Sequence, residues 1–241
     1  MKDQIQIKIL QLYPKDMNIY GDMGNLLLLE NMLKNAGLEP VIISHNPGDS
    51  LPENIDIAIG GGGQDSGQEK VQEDLLQISP RLKQWADAGV PMLMICGLYQ
   101  LFGNFFKTLD GKIIEGAGIL NIETHGSKDR LIGNIITESA EFGEIIGYEN
   151  HSGQTRLLEG TQPLAQVTKG EGNNLQDNHE GARYKNVIGS YLHGPLLPKN
   201  PQIAKFLIET ALNNIGADFK LEYAESKYLQ KARSEAAKRP R

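Results

Sequence analysis

The sequence predicts an α/β fold: a mainly parallel sheet with helices on both faces, plus an antiparallel β extension. Three observations carry this. Charge-free apolar runs such as Pro91-Met92-Leu93-Met94-Ile95 fit strands buried on both faces. Strand-like runs alternate with helix-spaced segments over residues 4–105. Residues 107–170 then change character, becoming rich in Gly, Thr and Ile. Their short alternating runs, such as Leu131-Ile132-Gly133-Asn134-Ile135-Ile136, read as β-hairpins.

Taken in order, residues 4–13 form the first strand and Tyr20-Gly21-Asp22-Met23-Gly24-Asn25 a turn. A helix follows from Leu26 to Ala36, stopped by Gly37, since glycine readily takes the left-handed conformation that ends helices. Val41-Ile42-Ile43 and Ile55-Asp56-Ile57-Ala58-Ile59 are the next strands, the latter running into Gly60-Gly61-Gly62-Gly63. Residues 67–78 and 80–88 read as two helices, and the central strand comes at 91–95. Leu98, Leu101 and Phe102 recur at helical spacing just after Cys96-Gly97. Beyond the extension, residues 170–181 form a polar loop. Val187-Ile188-Gly189-Ser190-Tyr191-Leu192 is a further buried strand, ending at His193-Gly194-Pro195. A helix spans about 200–213. The charged tail, with Leu221, Tyr223, Tyr228 and Leu229 as scattered apolar residues, reads as a solvated helix and a frayed terminus. The expected division is a domain over 1–213 and a charged C-terminal helix or tail over 214–241.

Composition narrows the function classes. The 241 residues suffice for a core without staples, and 39% hydrophobic with 22% charged content describes a soluble globular chain. A net charge of −6 argues against wholesale nucleic-acid binding. The single cysteine excludes an intramolecular disulfide and suits a reducing cytoplasm. The first nine residues alternate polar and apolar, so they do not read as a signal peptide. No run reaches the roughly 20 apolar residues of a membrane span.

The chemistry centres on that cysteine. A lone cysteine closing a buried strand is by default a small core hydrophobe. Here it occupies a strand-to-helix turn at the carboxyl edge of the sheet, where open α/β folds bind ligands. The following helix N-terminus favours thiolate, and the Gly97 N–H can face a developing oxyanion. Two other strand ends reach the same edge: the glycines at 60–63 and His193. A histidine near a cysteine can take its proton and return it to a leaving amine. The glycine run fails as a P-loop, because Gly62 and Gly67 have the spacing but Gln68 stands where lysine is required. It serves better as an oxyanion hole, with the N–H of Gly61 or Gly62 paired with that of Gly97.

Gly60-Gly61-Gly62-Gly63, Ile95-Cys96-Gly97-Leu98-Tyr99-Gln100 and Gly189-Ser190-Tyr191-Leu192-His193-Gly194-Pro195 together resemble class I glutamine amidotransferases. The Tyr-Leu-His-Gly form resembles the cobyric-acid-synthase-like branch. Within it, Asn18 to Asn25, Tyr148-Glu149-Asn150-His151-Ser152-Gly153 and His193 to Asn200 resemble the glutaminase subunits of lipid II isoglutaminyl synthases. The resemblance covers residues 4 to about 213 and implies a flavodoxin-like sheet. It also implies that Cys96 attacks the side-chain amide of glutamine and that His193 protonates the departing ammonia. Arg130 and Gln100 are then the substrate-binding residues, and a guanidinium suits an α-carboxylate through a bidentate pair. The implied partner is a Mur-ligase-like synthetase subunit of the MurT type. That subunit carries ATP and Mg²⁺ and amidates the α-carboxyl of D-glutamate in lipid II, while this chain holds no cofactor and no metal.

One departure stands out. Many class I amidotransferases have Glu two residues after the histidine, where this chain has Pro195, which cannot orient an imidazole. Asp22 is the substitute orienter, unless it caps the helix starting near Asn25. A Cys–His pair without a third member is also open. His151 is the rival base, read as structural or pocket-lining. Two other functions stay open: an amidotransferase subunit for another acceptor, such as a corrinoid, and a catalytically idle glutamine-binding subunit.

Overall fold

The computed structural model describes residues 4–19, 21–221 and 227–239, without the side chain of Tyr228. Tyr20 of the expected turn, Tyr223 of the tail and the extreme terminal residues lie outside the described residues. The first half runs β1 (Gln6–Leu12), α1 (Met23–Asn35), β2 (Glu39–His45), β3 (Ile57–Gly60), α2 (Asp65–Asp87), β4 (Met92–Ile95) and α3 (Gly97–Leu101). Six short or long strands follow: β5 (Phe105–Lys107), β6 (Ile113–Glu115), β7 (Ile122–Ser139), β8 (Gly143–Leu157), β9 (Ala165–Lys169) and β10 (His179–Glu180). The chain ends with β11 (Ala182–Tyr184), β12 (Val187–Ser190), α4 (Leu196–Lys199), α5 (Pro201–Asn214) and α6 (Lys227–Lys238).

The main sheet has the order β11-β12-β4-β3-β1-β2, parallel except for the edge strand β11. The chain steps one way from β1 to β2 and the opposite way from β3 to β4. Right-handed crossovers therefore put α1 and α2 on opposite faces, with α5 beside α1. The order reverses between β1 and β3, which opens a crevice at the carboxyl ends of the strands. The central strands are covered on both sides, so Met92, Leu93, Met94 and Ile95 are all buried.

The second sheet has the order β10-β9-β7-β5-β6, with β8 also paired to β7. Its backbone is the long β7–β8 hairpin, antiparallel as expected, while the short β5 lies parallel to β7. A register break between Gly126 and Leu131 lifts residues 127–130 out of the ladder. Arg130 sits in that bulge.

Residues 67–78 and 80–88 form one helix, not two. Pro80 lies inside α2 and cannot donate to the carbonyl of Leu76. The Ser79 hydroxyl supplies the missing bond, donating to Leu76 O at 2.9 Å. α1 begins at Met23, three residues earlier than the apolar spacing indicates, and Gly37 follows its end at φ +77°. Among the described residues no helix is long and apolar enough to cross a membrane. α6 lies against β7, β8 and α4, with Arg233 donating to the backbone carbonyl of Glu144.

Candidate active site

Parallel register brings the three strand ends to one edge. Gly60 pairs with Met94, Ser190 pairs with Ile95, and the Cys96 N–H donates to Ser190 O at 2.8 Å. Cys96 itself has φ 49° and ψ −102°, a conformation a non-glycine residue seldom adopts. Such strain costs about 1–3 kcal/mol. Burying a single large apolar side chain of β4 contributes about 1.5–3 kcal/mol, so the strand holds the turn in place. The turn projects the sulfur toward the crevice, as a nucleophile elbow does. α3 spans only five residues, so the helix-terminus effect read from the sequence is small here. The side chain that meets the sulfur is His193.

His193 follows β12 and is fixed by a two-residue bridge to β8. Its N–H donates to Tyr148 O at 2.8 Å, and the Tyr148 N–H donates back at 3.3 Å. A Cβ added at Gly62 would lie 2.8 Å from His193 Cε1 and 3.2 Å from Cys96 Cβ, so glycine is required between them. On its other side, His193 Nδ1 stands 3.2 Å from both oxygens of Asp22. Burial opposes a charge on this ring, but the Cys96 sulfur and the Asp22 carboxylate outweigh it and push its pKa up to about 10. Both neighbours thus favour the protonated ring.

Asp22 occupies the N-cap position of α1 but makes no side-chain cap. Its carboxylate instead accepts the Gly62 N–H at 2.8 Å and faces His193. The capping alternative is thereby replaced by a buried link between two loops. The same bond corrects the oxyanion assignment. The Gly62 N–H is committed to Asp22, and Gly61 lines a separate hollow with Met17, Asp22 and Asn25 and not the crevice. Gly63 is the member of the run that lines the crevice, and its nitrogen would lie 2.9 Å from a Cβ at Gly97. Among the described residues neither Gly63 nor Gly97 donates its N–H within the chain.

The crevice is a cavity of about 360 Å³ beside Cys96, lined also by Asp65, Gln68, Gln100, Arg130 and His151. Gln100 lies in its floor. The Gln100 oxygen accepts from Gln68, its amide donates to Tyr191 OH, and Tyr191 continues the chain to Thr155 and Thr124. Gln68, singled out in the sequence only as the wrong residue for a P-loop, also donates to Gly97 O at 3.0 Å. Its spacing from Asp65, one helical turn, was the available signal that both face the site. Arg130 reaches the rim, its Nε donating to Asn150 Oδ1 at 2.8 Å. His151 stacks flat on Tyr191 with ring centroids 3.5 Å apart, and its Nδ1 lies 2.8 Å from Gly153 O. Burial drives its pKa down to about 3, against the pull of the Gly153 carbonyl, so it stays neutral.

A strained cysteine turn facing a histidine across a glycine crevice, at the edge of this sheet, defines the class I glutamine amidotransferase architecture. The chain belongs to the CobB/CobQ-like glutamine amidotransferase domain family, whose model matches residues 8–201. It is 41% identical over 204 residues to the lipid II isoglutaminyl synthase (glutamine-hydrolyzing) subunit GatD of Staphylococcus aureus, covering 84% of this chain and 83% of that protein. The GatD subunit of Streptococcus pneumoniae is 39% identical over 220 residues, covering 90% and 85%. A crystal structure of a glutamine amidotransferase shares the fold, with TM-score 0.59 and 17% identity, over 84% of this chain and 98% of that one.

Proposed function

We propose that the chain is the glutaminase subunit of a lipid II isoglutaminyl synthase. The observation that carries the mechanism is the contact series Cys96–His193–Asp22 at one sheet edge. The Cys96 thiolate attacks the carboxamide carbon of glutamine, and the carbonyl oxygen gathers negative charge. The N–H groups of Gly97 and Gly63 receive that charge. The His193 imidazolium passes its proton to the amide nitrogen, the C–N bond breaks, and ammonia leaves a γ-glutamyl thioester on Cys96. Water then adds to the thioester and gives a proton to His193, the C–S bond breaks, and glutamate departs. Asp22 positions the imidazole throughout. Arg130 binds the α-carboxylate, and Gln100 holds the floor against which the substrate chain lies.

The ammonia is consumed on another chain. Making an amide from a carboxylate requires its activation, usually as an acyl phosphate, which needs ATP, Mg²⁺ and a cradle for phosphates. The one glycine-rich loop here lacks a P-loop lysine and lies against Cys96. The ATP site therefore belongs to a Mur-ligase-like partner of the MurT type, which amidates the α-carboxyl of D-glutamate in lipid II. The names of the Staphylococcus and Streptococcus relatives support this acceptor. The reaction suits the cytoplasm, where the single thiol stays reduced. Purified chain, lipid II, glutamine and Mg-ATP, with and without the partner, test the reading. Amidated lipid II is expected only with both subunits. Amidation by this chain alone would refute the two-subunit reading, and its absence from the complete mixture would refute the acceptor.

A further inference from the structure

The cavity beside Cys96 carries two opposed fixed charges at its rim, the guanidinium of Arg130 and the carboxylate of Asp65. Both residues are exposed there, while Cys96 is buried. Asp65 opens α2, with one residue between it and the glycine run. The neighbouring acids already have partners: Glu69 pairs with Lys112 at 2.8 Å, and Asp110 accepts from the Thr108 hydroxyl. Among the described residues Asp65 makes no ion pair. Although exposed, its carboxylate stands against the cavity wall and is partly withdrawn from water; this first, then Glu69 and Asp110, raises its pKa, with its own backbone N–H and Arg130 pulling the other way. A carboxylate so placed gains from an incoming cation.

We infer that Asp65 is the α-ammonium subsite for glutamine, acting with Arg130 as a two-charge clamp on the α-carbon. This rests on the glutaminase reading above. Free glutamine carries one cation and one anion on the carbon farthest from its carboxamide. When the carboxamide lies at Cys96, the α-carbon lies toward the rim, where Asp65 and Arg130 stand. A clamp of two opposite charges selects free glutamine over glutamine within a peptide, which has neither charge. An aspartate in a first helical turn also favours the helix electrostatically. That role is indifferent to the substrate, which gives the test its leverage.

The experiment compares wild-type full chain, with and without its partner subunit, against Asp65→Asn on two substrates. One is L-glutamine; the other is 4-carbamoylbutanoate, which lacks only the α-amino group. Ammonia release gives kcat/KM, and inhibition of glutamine turnover gives affinity where 4-carbamoylbutanoate reacts too slowly. Asp65→Asn is expected to lower kcat/KM for glutamine about ten- to hundredfold, mainly through KM. For 4-carbamoylbutanoate it should change kcat/KM or affinity by less than about twofold, since the lost partner is absent. Arg130→Ala should penalise both substrates, and Glu69→Gln neither. An equal loss on both substrates, or no loss on glutamine, overturns the assignment while leaving the glutaminase intact. Failure of the wild-type complex to release ammonia from glutamine overturns the glutaminase reading, and the assignment with it.

Discussion

His193 Nδ1 and the carboxylate of Asp22 meet at 3.2 Å although 171 residues separate them in the chain. Asp22 also holds the Gly62 N–H at 2.8 Å, so one side chain fixes both the histidine and the glycine turn in front of it. This coupling makes the site sensitive to pH in a defined direction. The His193 pKa rises from 6.5 to about 10, so the folded state holds the proton more tightly than the unfolded chain. The stability this contributes is fully present below about 6.5, declines as pH rises, and is gone above about 10.

Asp22→Asn removes the charge and keeps the shape. Turnover should fall roughly 10²–10⁴-fold, the range ascribed to positioned acid–base groups. The alkaline limb of the pH–rate profile should move to lower pH, because Asp22 is one of the groups that raise the histidine. The stability deficit of the variant should shrink as pH approaches 10. An alkaline limb that stays in place would show that Asp22 does not set the state of His193.

Cys96 should react once with a glutamine-like electrophile, and Cys96→Ala should abolish both labelling and ammonia release. Mass spectrometry of the intact chain reads the first and an ammonia assay the second. Glutaminase activity in folded Cys96→Ala would remove the nucleophile assignment.

The two histidines near the cysteine should behave differently. His193→Ala should stop turnover in a folded protein, because the proton donor is gone. His151→Ala should keep much of it, since a ring with a pKa of about 3 carries no proton to give at neutral pH. Its effect should fall on packing against Tyr191 and so on thermal stability. Reversed kinetic effects would interchange the roles.

Gly62→Ala is a steric test of the same site. The new methyl would lie 2.8 Å from His193 Cε1, closer than a real Cβ contact permits. The ring or the loop must shift, and about one ångström of misplacement can cost on the order of a hundredfold in rate. Circular dichroism should report a folded protein. Wild-type kinetics would mean that the crevice opens freely.

Away from the site, Ser79 and Pro80 form a coupled pair in α2. Ser79→Ala should destabilise the protein by about 0.5–1.5 kcal/mol, since the Leu76 carbonyl loses its donor. In a Pro80→Ala background a backbone N–H replaces the hydroxyl, and the same substitution should cost little. Additive effects in denaturant unfolding would discard the compensation.

The strands, the helix stop at Gly37 and the meeting of Cys96 with His193 were legible because they follow from local pattern and one topological rule. Uncharged apolar runs make buried parallel strands, and parallel strands end on a common edge. Pro195 excludes an adjacent carboxylate, so the positioning acid had to come from another part of the chain. The spacing of Asp65 and Gln68 put them on one helix face, but nothing local told that face from a solvated one, because polar side chains on a long helix read equally well as solvated. Tertiary structure alone decided that Asp22 turns inward instead of capping α1, that its bond to Gly62 leaves Gly63 to line the crevice, and that α2 runs through Pro80. Each of these is a choice among hydrogen-bond partners. Local sequence limits which groups can donate or accept, but only the packing of distant segments brings one partner within reach and excludes water from the rest.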